Sequence, residues 1–259
     1  MFDTWSDDDV LADGFSWQWQ VFCEIRTGRG HEDLADAQQR MDNFLERIGQ
    51  TLRSEPHLFR QLPLLTPIWR TRPMKPGSQI DSYKKVAELG PAPANKATNN
   101  RFSPAGVSMF YGADSEDTAI KETFADDSTV HGAVGKFELG RSVKILDLAE
   151  LPLRPSIFNK AQSESFHTLR FLEGFAADVS RPVGSNDDDR MGYLPTQLFT
   201  ERLRELNELR IDGIRYSSSR TGGPCYVLFA TSADCRDSFE PDHGEMLVLD
   251  TRSVYERRT

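Results

Sequence analysis

Four places in this 259-residue chain carry side chains of types suited to chemistry: Arg101, Tyr111, Glu122 and the serine run Ser217–Ser219. Arg101 ends a long polar loop, and a guanidinium there offers a planar fork of donors to an anionic oxygen pair. Glu122 falls on a helix whose apolar face is Ala119, Ile120 and Phe124, and helical geometry puts its carboxylate on one flank of that face. An acid at the rim of a core is both fixed and reachable. The stretch "RYSSSRTGGPCYVLFA", residues 215–230, sets three hydroxyls and two glycines before an apolar strand, more than a simple turn requires. Taken singly, each has a plainer explanation as a loop arginine, a half-buried strand aromatic, a helix-surface charge and a turn hydroxyl.

The elements that must position these groups follow from periodicity and punctuation. Leu34, Ala37, Met41, Phe44, Leu45, Ile48 and Leu52 recur at helical spacing and predict a helix over residues 33–53. With the Trp-rich segment before it (Trp5, Trp17, Trp19), it defines a helical N-terminal region over residues 1–62, whose expected role is packing. Sensing, partner binding and homo-oligomerisation are left open. Residues 63–259 form the expected main domain. Strands are expected at Leu65–Arg72, Ser108–Gly112, Val130–Leu139, Val143–Leu148, Ile211–Tyr216, Pro224–Ala230 and Met246–Asp250. Helices are expected at Glu116–Phe124, capped by Ser115, and near Lys160–Val179 and Thr196–Leu209. The stretch between Arg72 and Arg101 reads as a loop around one short helix, and long loops in compact domains are usually functional or disordered. Short strands and helices without regular βαβ alternation give an α+β fold, a mixed sheet with flanking helices.

Composition narrows the ligand. With 31 Lys and Arg against 40 Asp and Glu the net charge is −9, which argues against a nucleic-acid groove but allows a small anionic molecule held by a few placed arginines. No apolar run reaches the roughly 20 residues of a membrane span, and the acidic start is unlike a secretory signal, so a soluble cytoplasmic protein is expected. Cys23, Cys225 and Cys235 lack any CxxC, and the five histidines have no ligand spacing, so no disulfide framework and no metal are expected. "GAVGK" at Gly132–Lys136 is too short for a phosphate-cradling loop, and the acidic Asp187–Asp189 run lacks the rest of a calcium loop. Arg26 and His31 have a spacing that some helical ribonucleases use, but Gly28 and Gly30 spoil the helix.

As a set, the candidates sit in segments that resemble the RES family, named for an arginine, a glutamate and a serine. "NNRFSPAGVSMFYGADSEDTAIKETFADD" (Asn99–Asp127) carries the first two, and "YLPTQLFTERLRELNELRIDGIRYSSSRTGGPCYVLF" (Tyr193–Phe229) resembles the closing block. "TPIWRTR" resembles the opening strand. The likeness runs over about residues 63–235 and leaves the first 60 residues outside it. Arg101, Glu122 and a serine of 217–219 occupy the named positions, and Tyr111 takes that of an aromatic. A Tyr-x-Ser-x-Arg alignment picks Ser218, with Ser217 or Ser219 one slip away.

The resemblance implies a fold related to ADP-ribosyltransferase toxins and NAD as substrate. It implies a toxin of a toxin–antitoxin pair, with a cognate antitoxin blocking the cleft. Cleavage of the nicotinamide–ribose bond by hydrolysis or phosphorolysis is the leading activity. Transfer of ADP-ribose to a protein from the same site, or a non-catalytic interaction module, are the alternatives. On that reading Arg101 grips the pyrophosphate with Arg70, Arg72 or Arg220 assisting, and Tyr111 stacks on nicotinamide or ribose. Ser218 orients the ribose, while Glu122 accepts from a ribose hydroxyl and stabilises the cationic sugar. The serines would then face the ligand cleft, and Tyr216, Ser218 and Arg220 would share one strand face if pairing persists through the run.

Overall fold

The computed structural model describes residues 34–124, 131–181, 193–237 and 244–258. The Trp-rich segment, the acidic 187–189 run and the Arg26/His31 pair lie outside them. The chain separates into two compact units.

Among the described residues, the larger unit comprises 59–99, 103–124, 131–149, 210–237 and 244–258. Its strands are β1 (Phe59–Leu62), β2 (Pro67–Pro73), β3 (Phe110–Ala113), β4 (His131–Leu139), β5 (Val143–Asp147), β6 (Gly213–Ser217), β7 (Pro224–Leu228), β8 (Cys235–Arg236) and β9 (Leu247–Arg258). Among the described residues they form one nine-stranded sheet in the order β1-β5-β6-β7-β3-β2-β4-β9-β8. Among these strands β5–β6 and β8–β9 pair in parallel and the other described pairings are antiparallel, so the sheet is mixed and the fold α+β. Short helices fall between the strands: α2 (Ile80–Tyr83), α3 (Val86–Leu89) and α4 (Glu116–Thr123). The expected single short helix between Arg72 and Arg101 is thus two four-residue helices, followed by a 3-10 turn at Ala94–Lys96.

Alternation along the strands sorts the side chains between two faces. Ile68 of β2, Phe110 of β3, Phe137 of β4 and Leu228 of β7 point to one face and join Tyr83 and Leu89 of α2 and α3 in the main core. Phe110 and Phe137 meet edge to face at 4.8 Å, worth about 0.5–1.5 kcal/mol beyond the burial itself. The other face is lined more thinly. There Trp69, Ala113, Cys225 and Tyr216 lie in one cross-strand row, set by the pairs Trp69↔Ala113, Ala113↔Cys225 and Tyr216↔Cys225. Ala119 of α4 packs on the two small residues of that row, Ala113 and Cys225, with Trp69 and Tyr216 beside them. Small residues in the middle of the row let the helix come close.

The second unit contains residues 34–58, 100–102, 150–181 and 193–209 among those described. Its helices are α1 (Leu34–Ser54), α5 (Ser163–Val179) and α6 (Leu194–Glu205). Phe171, Phe175 and Phe199 form an aromatic cluster between α5 and α6, the tightest pair 4.4 Å apart. Ile48 and Leu52 of α1 are buried, and Gly49 gives room to Leu206. Exposed ion pairs from Arg202 to Glu46 and from Arg53 to Glu208 add little stability.

Three boundaries differ from expectation for identifiable reasons. β2 begins at Pro67 because Leu65 is in the left-handed region at φ 65°, which breaks an extended run. β9 continues to Arg258, past Asp250, on a charged segment that sequence hydrophobicity does not mark. β1, unpredicted, is a four-residue edge strand with only Leu62 buried.

Candidate functional site

Helix α4 starts on Ser115, whose extended backbone and hydroxyl cap it by accepting the Thr118 N–H at 3.3 Å. Glu116 and Asp117 in its first turn suit the positive end of the helix dipole. Its third and seventh residues, Thr118 and Glu122, fall on one face, four residues apart. Thr118 is buried and Glu122 half-buried.

The β6–β7 hairpin meets that face. Strand pairing ends at Ser217↔Pro224. Beyond it the Ser218 N–H donates to the Gly223 carbonyl at 2.8 Å, and the Gly222 N–H donates to the Ser218 carbonyl at 3.0 Å. This tight loop closes with Gly222 at φ +72°, a conformation that favours glycine. The Ser218 hydroxyl accepts the N–H groups of Arg220 at 3.1 Å and Thr221 at 3.0 Å, and donates its own hydrogen to Oε1 of Glu122. A serine hydroxyl has one hydrogen and two lone pairs, so these bonds fill its capacity. Ser218 is 4% exposed, while Ser217 and Ser219 are half-buried.

The serine run therefore builds a turn that presents one hydroxyl to a carboxylate. Because the strand stops at Ser217, the alternation that would set Tyr216, Ser218 and Arg220 on one face does not extend through the run; Arg220 is exposed on the turn. Behind the pair lies Cys225, whose thiol pKa is pushed up by burial first, and then by the charges of Glu122 and Asp114.

Tyr111 of β3 points to the same sheet face as α4, because it alternates with Ala113; its hydroxyl bonds Ser103 Oγ at 2.9 Å. Arg70 and Arg72 alternate with Trp69 on β2 and point to the opposite face. Arg70 lies 4.9 Å from the Phe110 ring centroid, donates to the Tyr111 carbonyl, and has a buried Nε without a hydrogen-bond partner among the described residues. Burial, and then the neighbouring Arg72, press its pKa downward. Arg72 donates to the Gly90 carbonyl at 2.8 Å. The two arginines belong to the main-core side of the sheet, away from the Glu122–Ser218 pair.

Arg101 belongs to the helical unit. Its guanidinium caps the end of α5, donating to the carbonyls of Asp178 (3.1 Å), Val179 and Arg181 (2.7 Å). Orphan carbonyls at a helix C-terminus and the negative end of its dipole make that a favourable seat for a cation. The turn at Arg101 is itself held by the start of α6. Gln197 Nε2 donates to the Asn100 carbonyl at 2.7 Å, and the Thr196 hydroxyl reaches the carbonyls of Arg101 and Tyr193. Thr196 and Gln197 are buried residues of the "LPTQ" motif, and sequence reasoning gave them no role. The signal for one was there: two polar residues on the inner side of a helix just after a proline need partners.

With these placements in hand, a protein-family model described as the RES domain matches residues 67–250. The chain belongs to the RES family. A comparison with solved structures pairs this RES chain with the M. tuberculosis MbcT–MbcA toxin–antitoxin complex, at 14% identity and a TM-score of 0.39, covering 82% of this chain and 92% of that one. Among curated proteins none matches the sequence. Within the described residues, no cluster of three or more His, Cys, Asp or Glu side chains is arranged to hold a metal ion, and no helix is long and apolar enough to cross a membrane.

Proposed function

We propose that this RES protein is a toxin-like enzyme that cleaves the nicotinamide–ribose bond of NAD, by hydrolysis or phosphorolysis. The observation that supports the reading most is the Glu122–Ser218 pair: a half-buried carboxylate held by a hydroxyl that is itself anchored on two backbone N–H groups. Breaking this bond expels an already cationic ring and leaves an oxocarbenium-like ribose, so the protein has little covalent work to do. What the reaction needs is a negative charge fixed beside the anomeric carbon before the charge develops there. Glu122 supplies it. Its second oxygen, Oε2, accepts from a ribose hydroxyl while Oε1 stays on Ser218.

Ser218 acts through Glu122, because its hydrogen is already donated. A carboxylate free to swing would pay reorganisation during the reaction, and one pinned at Oε1 pays less. Tyr111, on the same sheet face as α4, provides the aromatic surface for nicotinamide or ribose, and Arg220, exposed on the Ser218 turn, contacts the pyrophosphate. An ADP-ribosyltransferase-like course for the chain and neutralisation by a cognate antitoxin complete the reading, both drawn from the family.

The test is incubation of the purified protein with NAD, following nicotinamide release with and without phosphate. Release is expected, with phosphate deciding between ADP-ribose and its 1-phosphate as the other product. NAD left intact across phosphate, pH and added acceptor proteins would overturn the proposal.

A further inference from the structure

Helix α4 and the 218–223 turn are joined twice, and only one of the joints includes the reacting carboxylate. Thr118, one helical turn before Glu122, is 3% exposed, and its Oγ1 lies 3.1 Å from Oγ1 of Thr221. Ser115, the helix cap, donates to Thr118 Oγ1 at 2.9 Å, and the Gly223 N–H donates to Thr221 Oγ1 at 3.1 Å. A chain of hydrogen bonds thus runs from the cap of the helix through Thr118 and Thr221 to the Gly223 N–H at the end of the turn. The two joints, Glu122 to Ser218 and Thr118 to Thr221, lie four residues apart on the helix and three apart on the turn.

The fit leaves no slack at the second joint. A Cβ on Gly223 would stand 2.7 Å from Thr118 Oγ1, closer than carbon and oxygen pack, and a tight 3.2 Å from Thr221 Oγ1. Neighbouring Gly222 has nothing within 4 Å of such a Cβ, so the crowding belongs to the Gly223 position, where Thr118 and Thr221 meet. The hydroxyl pair therefore sets how deeply the turn seats on α4. Ser218 rides on that turn, three residues away.

We propose that Thr118 and Thr221 are positioning residues for Glu122: their hydroxyl bond holds the turn at the depth from which Ser218 reaches the carboxylate. The inference rests on the reading of Glu122 as the reacting group. Neither threonine touches substrate in this account; both act through Ser218. Removing the bond frees the turn to lift from one end, lengthening the Ser218–Glu122 contact and letting the carboxylate rotate.

The test compares Thr118→Val, which keeps the shape and loses the hydroxyl, with Thr118→Ser, which keeps the hydroxyl. Nicotinamide release by Thr118→Val is expected to fall about tenfold in kcat with KM changed less than about twofold, because the loss falls on the transition state. Thr118→Ser should restore most of the turnover. Equal losses in both variants, or none in Thr118→Val, would overturn the proposal, the first because keeping the hydroxyl would then protect nothing. Hydrogen exchange at the Arg220 and Thr221 amides, which donate to Ser218, gives a readout independent of activity. Thr118→Val should speed it and Thr118→Ser should not. If the wild-type protein leaves NAD intact, the enzyme reading fails by itself, and unchanged exchange in Thr118→Val would then still overturn the positioning role of the threonine pair.

Discussion

The Ser218 hydroxyl donates its only hydrogen to Oε1 of Glu122 while accepting two backbone N–H groups of its own turn. That relationship makes the serine a fixed lever on the carboxylate, and it separates Ser218 from its two neighbours in the run. Ser218→Ala is expected to lower nicotinamide release at least about tenfold, roughly 1.4 kcal/mol of transition-state stabilisation. It should also cost about 1–3 kcal/mol of stability, since two N–H groups lose their acceptor. Ser217→Ala and Ser219→Ala should cost much less in rate. Steady-state rates with circular dichroism on all three variants decide it, and a crippled Ser217→Ala with an active Ser218→Ala would contradict the assignment.

The two glycines of the turn should respond differently. Gly222→Ala places a side chain at φ +72° in open space, a backbone strain of about 1 kcal/mol with little effect on turnover. Gly223→Ala drives its Cβ against Thr118, so both stability and turnover should drop. Thermal unfolding and nicotinamide release on the pair provide the check; equal behaviour of the two would mean the turn does not press on α4.

Arg101→Ala should destabilise the protein by about 1–3 kcal/mol, because its guanidinium satisfies carbonyls at the end of α5. Arg101→Lys should recover only part of this, as an ammonium lacks the planar fork. Thermal melts measure that loss, and NAD titrations of the same variants read the pyrophosphate role that the family resemblance assigns to Arg101. A melt unchanged in Arg101→Ala would remove the capping account.

A buried ion pair fixes the far end of the sheet. Asp147 of β5 receives both Arg215 Nη1 bonds, at 3.0 and 2.9 Å, and a third from Arg60 Nε at 2.6 Å. Asp147→Ala strands the buried Arg215 charge and should cost about 3–5 kcal/mol. Arg60→Ala, from a much more exposed position, should cost under about 1 kcal/mol. Urea unfolding of both variants checks the order.

The sequence announces α4 and its partner strands clearly: the Ser115 cap and the Ala119 stripe place the helix, and β6 and β7 appear within two or three residues of their expected limits. What it does not announce is sidedness. β2 carries Arg70 and Arg72 at the spacing of one strand face, but only pairing with β3 and β4 reveals that this face is the main core and that Trp69 looks toward α4. The serine run misleads for a related reason. Nothing local says that pairing stops at Ser217, and the stop depends on the turn bonds that Gly222 and Gly223 permit. Arg101 reads as a loop residue because its partners are carbonyls some 80 positions away.

The most direct measurement is nicotinamide release from NAD by the wild-type protein and by Glu122→Gln, with NAD affinity measured on both. Glutamine keeps the shape and a carbonyl acceptor for Ser218 but removes the charge beside the anomeric carbon. The account predicts a fall in kcat of at least about a hundredfold with Kd for NAD changed less than about threefold. A Glu122→Gln protein that turns NAD over at the wild-type rate would contradict it.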